Sequence, residues 1–349
     1  MTPARVLHIL GAADRSSTGI ATIVSQLAAG IDVERYALEA WFTGGDGPLV
    51  ADVEKSGAVV RVVPWTGARN DPLGSLGFWR QLRRERFSIA HFHVGGTSMV
   101  SLVRQATGAK VVVHLHGTAQ EHRGARVPIH TARLADAVIA ASSAVAAAVP
   151  RADVTVAYAA VAISTSPSAA AISGPIVGTA GRLVPVKRVE RLLEAFRLVA
   201  DRLPEARLEI AGDGPRRAGL VSYASELGLG DKVTFLGWVE DLPSVFRRWR
   251  AFAATSESEG LNLALAQAMG AGLPAVATNV GGMREVIQDD RGGWLVDPDA
   301  QVIAERLTAL LVDPTLAQDM GNIAREHIRR RFSTERFLTA VTAVYNRLS

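Results

Sequence analysis

The chain of 349 residues contains no cysteine. That removes disulfide staples, thiolate nucleophiles and thiolate metal sites together. Lysine is almost missing: Lys55, Lys110, Lys187 and Lys232 are the only ones, and arginine supplies the rest of the positive charge. Such a bias can come from genome composition, so the net charge of +4 is weak ground for a nucleic-acid partner, and none is expected. No apolar run approaches the roughly 20 residues needed to cross a bilayer. The first apolar stretch, Arg5 to Leu10, meets Gly11 and Asp14 too soon for a signal peptide. The cytoplasm is the expected location. No Gly-Lys-Ser/Thr occurs, which argues against a P-loop enzyme, and Gly212, Gly214 and Gly219 have the wrong spacing for a dinucleotide fingerprint.

What is present is apolar and regular. Apolar residues make up 48% and charged residues 21%, the balance of a well-buried globular core. The length suggests two domains. Short apolar strands alternate with helix-like stretches almost throughout. In the first half the strands fall at Val6–Leu10, Leu38–Phe42, Val59–Val63, Ile89–Val94, Val111–His116, Ala137–Ala141 and Val154–Tyr158. A small-residue, turn-prone stretch at Val161–Gly174 reads as a linker. The alternation then restarts at Ile176–Ala180, Leu208–Ala211, Val233–Leu236, Ala251–Thr255, Ala275–Ala277 and Gly293–Val296. Strand and helix in alternation predict an α/β fold of parallel sheets covered on both faces. The expected layout is two doubly wound domains, 1–165 and 166–332, with a cleft between their strand carboxyl ends. A last helix in 333–349 can pack back on the first domain.

The most informative stretch is Thr255 to Ile287. An acidic loop, Glu257 to Glu259, closes at Gly260. A helix follows, with Leu263, Ala266, Met269 and Ala271 as its buried stripe. A short strand and a second glycine loop, Gly281-Gly282, open another helix. A glycine turn feeding a helix start aims backbone N–H groups at one spot, which suits a phosphate. A carboxylate beside it, Glu259, suits a ligand with several hydroxyls. The chemistry indicated is recognition of a sugar joined to a phosphate.

Other segments offer further groups. Gly181-Arg182-Leu183-Val184-Pro185-Val186-Lys187 follows the first strand of the second half, so Arg182 and Lys187 can clamp a diphosphate, or form a solvated loop. Ala211-Gly212-Asp213-Gly214-Pro215 reads first as a strand-to-helix turn. Leu236-Gly237-Trp238-Val239 ends a strand where backbone groups can meet a nucleobase. In the first half, Gly19 opens a helix starting near Ile20. His114 and His116 share one strand face. No third metal ligand stands near them at a recognisable spacing, so no metal is expected. His116 reads as a hydrogen-bond donor to a ligand, or as a satisfied polar side chain at a strand end. Asp297-Pro298-Asp299 is better explained as a turn and helix cap than as a cation site. The basic run Phe78 to Phe87 can touch an anionic membrane surface at its inner face, or form a solvated helix face.

Together these segments resemble glycosyltransferase family 4, a group of retaining enzymes with the GT-B fold of two Rossmann-like domains facing a central cleft. The resemblance rests on Gly19, His93, His116-Gly117, Gly181-Arg182 with Lys187, Gly212-Asp213-Gly214-Pro215, Leu236-Gly237, and Glu259-Gly260 through Gly281-Gly282 to Glu285, in matching order and spacing. It implies a nucleotide-sugar donor and a hydroxyl acceptor, with no cofactor. Arg182 and Lys187 would hold the diphosphate. Glu259 and the backbone of Gly260, Leu261 and Asn262 would hold the sugar. His116 would reach that sugar, and Gly19 would admit the diphosphate closely. Two positions depart from the family pattern. Gln267 stands where a second glutamate usually contacts the ribose, and Asn262 where many relatives have glycine. The first keeps a non-catalytic or weakly active relative in view, and a sugar-nucleotide epimerase of similar build is another alternative. Thr118 to Val127 is the candidate acceptor loop.

Overall fold

Runs such as Val111-Val112-Val113 and Ala137-Val138-Ile139 bury both faces of a strand, and that is what parallel sheets require. The computed structural model describes residues 2–65, 72–117, 131–163, 174–288 and 292–349. Most of the predicted linker (164–173) and the acceptor-loop candidate (118–127) lie outside the described residues. The chain divides into two units, Met1–Ala160 with Thr334–Ser349, and Val161–Ser333.

The first unit carries β1 (Ala4–Leu10), β2 (Tyr36–Phe42), β3 (Val59–Val62), β4 (Ile89–Phe92), β5 (Lys110–Leu115), β6 (Ala137–Ala140) and β7 (Val154–Val156). They form one parallel sheet in the order β3-β2-β1-β4-β5-β6-β7. Its helices are α1 (Thr18–Gly30), α2 (Leu49–Glu54), α3 (Pro72–Glu85), α4 (Thr97–Thr107), α5 (Ser143–Ala147) and the last one, α13 (Thr334–Leu348). Gly108 ends α4 in a left-handed conformation, and the Ser142 hydroxyl caps α5 by accepting from Val145 N–H at 3.1 Å. Leu7, Ile9, Ala90, Phe92, Val111 and Val113 face a core that α3 and α4 complete. The alternate residues His8, His91, His93 and His114 lie on the opposite face, because strand side chains repeat every second residue. The apolar face of α13, with Phe337, Val341, Val344 and Tyr345 buried, packs on the unit at β7 and α1.

The second unit holds β8 (Ile176–Ala180), β9 (Arg207–Ala211), β10 (Val233–Gly237), β11 (Ala251–Ala254), β12 (Ala275–Thr278) and β13 (Gly293–Val296). They pair in parallel in the order β10-β9-β8-β11-β12-β13. Its helices are α6 (Val189–Arg202), α7 (Arg217–Glu226), α8 (Leu242–Phe246), α9 (Leu263–Gly270), α10 (Met283–Val286), α11 (Ala300–Val312) and α12 (Pro314–Arg331). The carboxylates of Asp241, Asp299 and Asp313 cap α8, α11 and α12. Leu192, Leu193, Phe196 and Val199 on α6 pack with Ile303, Leu307 and Leu310 on α11 in one core.

In each sheet the strand order reverses once, between β1 and β4 and between β8 and β11. Loops leaving the carboxyl ends of two such strands diverge to opposite faces and open a crevice, where ligands of open α/β sheets bind.

Trp249 is fully buried over β8, where only hydrogen occupies the Cα of Gly178: a Cβ there would lie 1.9 Å from the indole ring. Gly178→Ala should therefore destabilise the second unit by about 1–3 kcal/mol. Gly219→Ala, in the first turn of α7 with no atom within 4 Å of the new methyl, should stabilise it by roughly 0.4–1 kcal/mol, because the unfolded chain loses freedom. Urea unfolding of the two variants checks both signs.

Candidate functional site

At the switch point of the second sheet, Gly181 leaves β8 with φ +146 and a short 3-10 turn, Pro185–Lys187, follows. From the neighbouring β11 the chain runs through Thr255 and Ser256 to Glu259. The two loops are tied together: Glu257 N–H donates to Val186 O at 2.8 Å, and the Thr255 hydroxyl to Arg188 O at 3.0 Å. This places Lys187 Nζ 2.6 Å from Glu259 Oε1. Ser256 Oγ (2.6 Å) and Asn262 Nδ2 (2.9 Å) donate to the same oxygen. Glu259 is only 3% exposed, so these donors replace the water a carboxylate needs. Arg182 is exposed beside them, and among the described residues nothing binds its guanidinium. Gly181, Arg182, Lys187, Thr255, Ser256 and Asn262 line one pocket. The lysine and the carboxylate, read from sequence as gripping different parts of a ligand, are thus partners of each other.

Asn262 accounts for its own departure from the family pattern. Its backbone is left-handed (φ 62), a conformation that glycine adopts freely and asparagine best among the rest. Its Oδ1 also accepts from Leu265 N–H at 3.0 Å, capping α9, while Nδ2 serves Glu259. The buried stripe of α9 differs from the expected one. Leu265, Ala266, Ala268 and Met269 are buried, while Leu263 and Ala271 are half-buried, because the helix stands between strands and a second helix and is covered on more than one side. Gln267 is half-buried on this helix, and Leu261 is buried just before it.

The Gly281-Gly282 reading needs correction. A Cβ on Gly281 (φ +47) would meet Glu259 O at 2.1 Å, and one on Gly282 would meet Gly260 O at 2.0 Å. Gly282 N–H already donates to Glu259 O at 3.0 Å, and α10 is a single turn. These glycines let two loops touch and fix the acidic loop from behind; they do not open an anion site. Gly212 acts similarly: its Cβ would lie 1.9 Å from Gly181 O, and its N–H donates to Gly237 O at 2.6 Å. Asp213 is exposed and accepts from Gly214 N–H at 2.7 Å, a turn role. Val239 is half-buried in the loop after β10.

In the first unit α1 begins at Thr18, two residues before the expected start, so Gly19 lies in its first turn. An added Cβ there meets nothing within 4 Å, so the chain's own packing does not demand glycine. His116 is half-buried just beyond β5. The third imidazole missing from the sequence spacing comes from other strands: His8, His91 and His93 form one group, and His93, His114 and His116 another, with nitrogens within 4.8 Å. No spacing rule finds them, because β1, β4 and β5 are brought together only by the sheet. These trios could hold a metal ion by ligand type, yet His8, His93 and His116 direct nitrogens at one another in hydrogen bonds. The membrane reading of Phe78 to Phe87 loses its apolar half: Phe78, Leu82 and Phe87 are buried in the core, and Arg83 lies over the Trp79 ring at 4.8 Å. No described helix is long and apolar enough to cross a membrane. Asp299 is a helix cap, as its sequence context implies.

Burial lowers the pKa of His8 from 6.5 to about 3, and pushes His91, His93 and His114 well below the ordinary value. The native state therefore resists protons that the unfolded chain accepts. Stability should be full above pH 6.5 and fall as the pH drops from there toward 3, by up to about 1.4 kcal/mol per pH unit for each imidazole. Melting temperatures from pH 7.5 down to 5 check this; a flat profile would contradict it.

Residues 17–163 match the model of Glycosyltransferase Family 4, and residues 167–327 that of Glycosyl transferases group 1. N-acetyl-alpha-D-glucosaminyl L-malate synthase of Bacillus anthracis is 32% identical over 161 residues, 46% of this chain and 42% of that enzyme. A GDP-mannose-dependent alpha-(1-6)-phosphatidylinositol monomannoside mannosyltransferase of Mycobacterium tuberculosis is 34% identical over 164 residues, 44% of this chain and 43% of that enzyme. The chain thus matches these curated relatives over less than half of their length. Anabaena HepE, solved in complex with UDP and glucose, shares the fold at a TM-score of 0.85 and 20% identity, covering 99% of this chain and 100% of that one. Sucrose-phosphate synthase from Thermosynechococcus elongatus does so at 0.78 and 19%, covering 99% of both chains. Both halves, each folded as its own parallel α/β unit, carry the matching signatures in order, and the chain belongs to glycosyltransferase family 4.

Proposed function

We propose that the chain transfers a sugar from a nucleoside-diphosphate sugar to an acceptor hydroxyl, with retention and without a metal. The observation that carries this is the grouping of Lys187, Glu259, Asn262 and the uncommitted Arg182 at the switch point of the second sheet. A departing diphosphate gains negative charge in the transition state. Arg182 and Lys187 would be worth most at that moment. Glu259, fixed by three donors on Oε1, is oriented without freedom to lose, so it can accept from sugar hydroxyls at little entropic cost. Gly19, which no internal contact explains, supports a close approach of diphosphate to the start of α1. We assign His116 to the donor sugar.

Retention is supported by what the first loop contains. An inverting enzyme needs a general base by the acceptor, and 11–19 holds no histidine and only Asp14 as a carboxylate. The leaving phosphate can itself take the acceptor proton, so catalysis reduces to positioning and charge stabilisation. UDP and UDP-glucose are bound by HepE, which makes a uridine donor the first to try here.

Arg182→Ala, Lys187→Ala and Glu259→Ala should each lower kcat/KM by on the order of 10²–10³, with EDTA leaving the wild-type rate unchanged and the product keeping the donor's anomeric configuration. Screening UDP-, GDP- and dTDP-sugars by thermal shift identifies the donor; assays of the three variants with it then test the site, and undiminished turnover would remove it. Gln267→Glu should lower the donor KM if a ribose hydroxyl is its partner, because a charged acceptor binds hydroxyls more strongly than an amide.

A further inference from the structure

Glu259 has two carboxylate oxygens, and the chain uses them unequally. Oε1 accepts from Lys187 Nζ at 2.6 Å, Ser256 Oγ at 2.6 Å and Asn262 Nδ2 at 2.9 Å. Oε2 accepts from none of the described residues. It is also not among the side-chain atoms that are both buried and unpartnered, so it still meets solvent.

Asn262 is the one donor of the three that stands where many relatives have glycine. Its amide is fixed from both ends: Oδ1 accepts from Leu265 N–H at 3.0 Å while Nδ2 donates to Glu259. Turning the amide over would set its NH2 against an N–H and its oxygen against a carboxylate, so only one orientation works. The residue caps α9, whose Leu265, Ala266, Ala268 and Met269 are buried, so the amide is anchored to a packed helix. Ser256 is held as well, since its carbonyl accepts from Thr278 Oγ1 at 2.6 Å.

Lys187 differs from both. It is half-buried, on a stem with four rotatable carbons, and in the proposed transfer it has two partners to serve, Glu259 and the diphosphate. When the diphosphate draws its ammonium group, a buried carboxylate loses part of its compensation. Ser256 and Asn262 are the donors that stay.

We propose that Asn262 is a positioning residue for the donor sugar: it keeps Oε1 of Glu259 occupied while Lys187 turns to the diphosphate, so that Oε2 is the oxygen the sugar hydroxyls meet. Glycine has no side chain with which to do this. The sugar's part rests on the proposed transfer from a nucleotide sugar. The bond between amide and carboxylate does not.

The chain has five asparagines, so ¹⁵N labelling of their side chains gives a short NMR spectrum, in which Asn262→Gly identifies the signal of Asn262. Without ligand, one of its two amide protons should lie downfield and exchange slowly with water, and Glu259→Gln should move it upfield. Adding UDP-glucose should leave it downfield, because the sugar takes the other oxygen. A ligand-free signal like that of the exposed Asn322, or one lost when the nucleotide sugar binds, would overturn the proposal.

Calorimetric titration with UDP-glucose and with UDP separates sugar from nucleotide. Asn262→Gly keeps the left-handed backbone without strain, and it should weaken UDP-glucose by roughly 3–10-fold, the worth of one hydrogen bond, with UDP unchanged within about twofold. Asn262→Asp keeps the acceptor for Leu265 N–H but sets a like charge against Oε1, and it should weaken UDP-glucose further. If asparagine served only the turn and the cap, aspartate would be the milder change, and that order would overturn the proposal. So would UDP-glucose binding unchanged in both variants. If the wild type does not bind UDP-glucose, GDP- and dTDP-sugars with their diphosphates replace it. Should none of them bind, the donor reading falls and the sugar role with it, while the ligand-free signal still decides the contact.

Discussion

The carboxylate of Glu259 is the point on which the second unit's site depends. A buried negative charge is tolerated only when paired and hydrogen-bonded, and breaking such a pair from one side costs about 3–5 kcal/mol. Three donors meet that requirement, and each comes from a different structural device. Lys187 arrives at the end of a 3-10 turn, Ser256 at the end of β11, and Asn262 from a left-handed residue capping a helix. The glycines around them are the other half of the same constraint. Gly281 and Gly282 let their loop press against Glu259 and Gly260, and Gly212 lets its loop press against Gly181. Close backbone contact on both sides leaves these loops little freedom, which is how a site of loop residues becomes as well placed as one on a strand.

The first unit meets a different demand. Four histidines buried to 6% exposure or less would be costly if charged. They avoid that cost by staying neutral, and three of them share hydrogen bonds with one another or with Tyr345. The stacked rings fill the sheet face as aromatic side chains would, with His91 and His93 4.5 Å apart and His114 and His116 4.3 Å apart. The same rings extend from the strand interior to the half-buried His116, so one run of stacked imidazoles spans the buried face and the strand end.

All thirteen strands among the described residues were legible in the sequence: those buried on both faces, such as β4 and β12, leave an apolar run between turn residues, and the less buried β3, β7 and β10 are still short and rich in β-branched residues. Gly181-Arg182, Lys187 and Glu259 were legible too, since each stands just past a strand end. The glycine pairs misled. A glycine looks the same in sequence whether it faces a ligand or another loop, and Gly281-Gly282 faces a loop. For the basic stretch at 78–87 the solvated helix face, one of its two sequence readings, is what the structure has: Arg80, Arg83, Arg84 and Arg86 are exposed while Phe78, Leu82 and Phe87 are buried.

Sequence alone determined which residues form strands and the order of strand and helix, because these depend on local periodicity and residue type; the departures at Asn262 and Gln267 stand out only against the family resemblance. Tertiary structure alone decided that Lys187 and Glu259, 72 residues apart, are bonded partners, and that Tyr345 reaches His8 across 337 residues. Such contacts arise because parallel strands bring distant segments side by side, and no local pattern records which neighbour a strand will have.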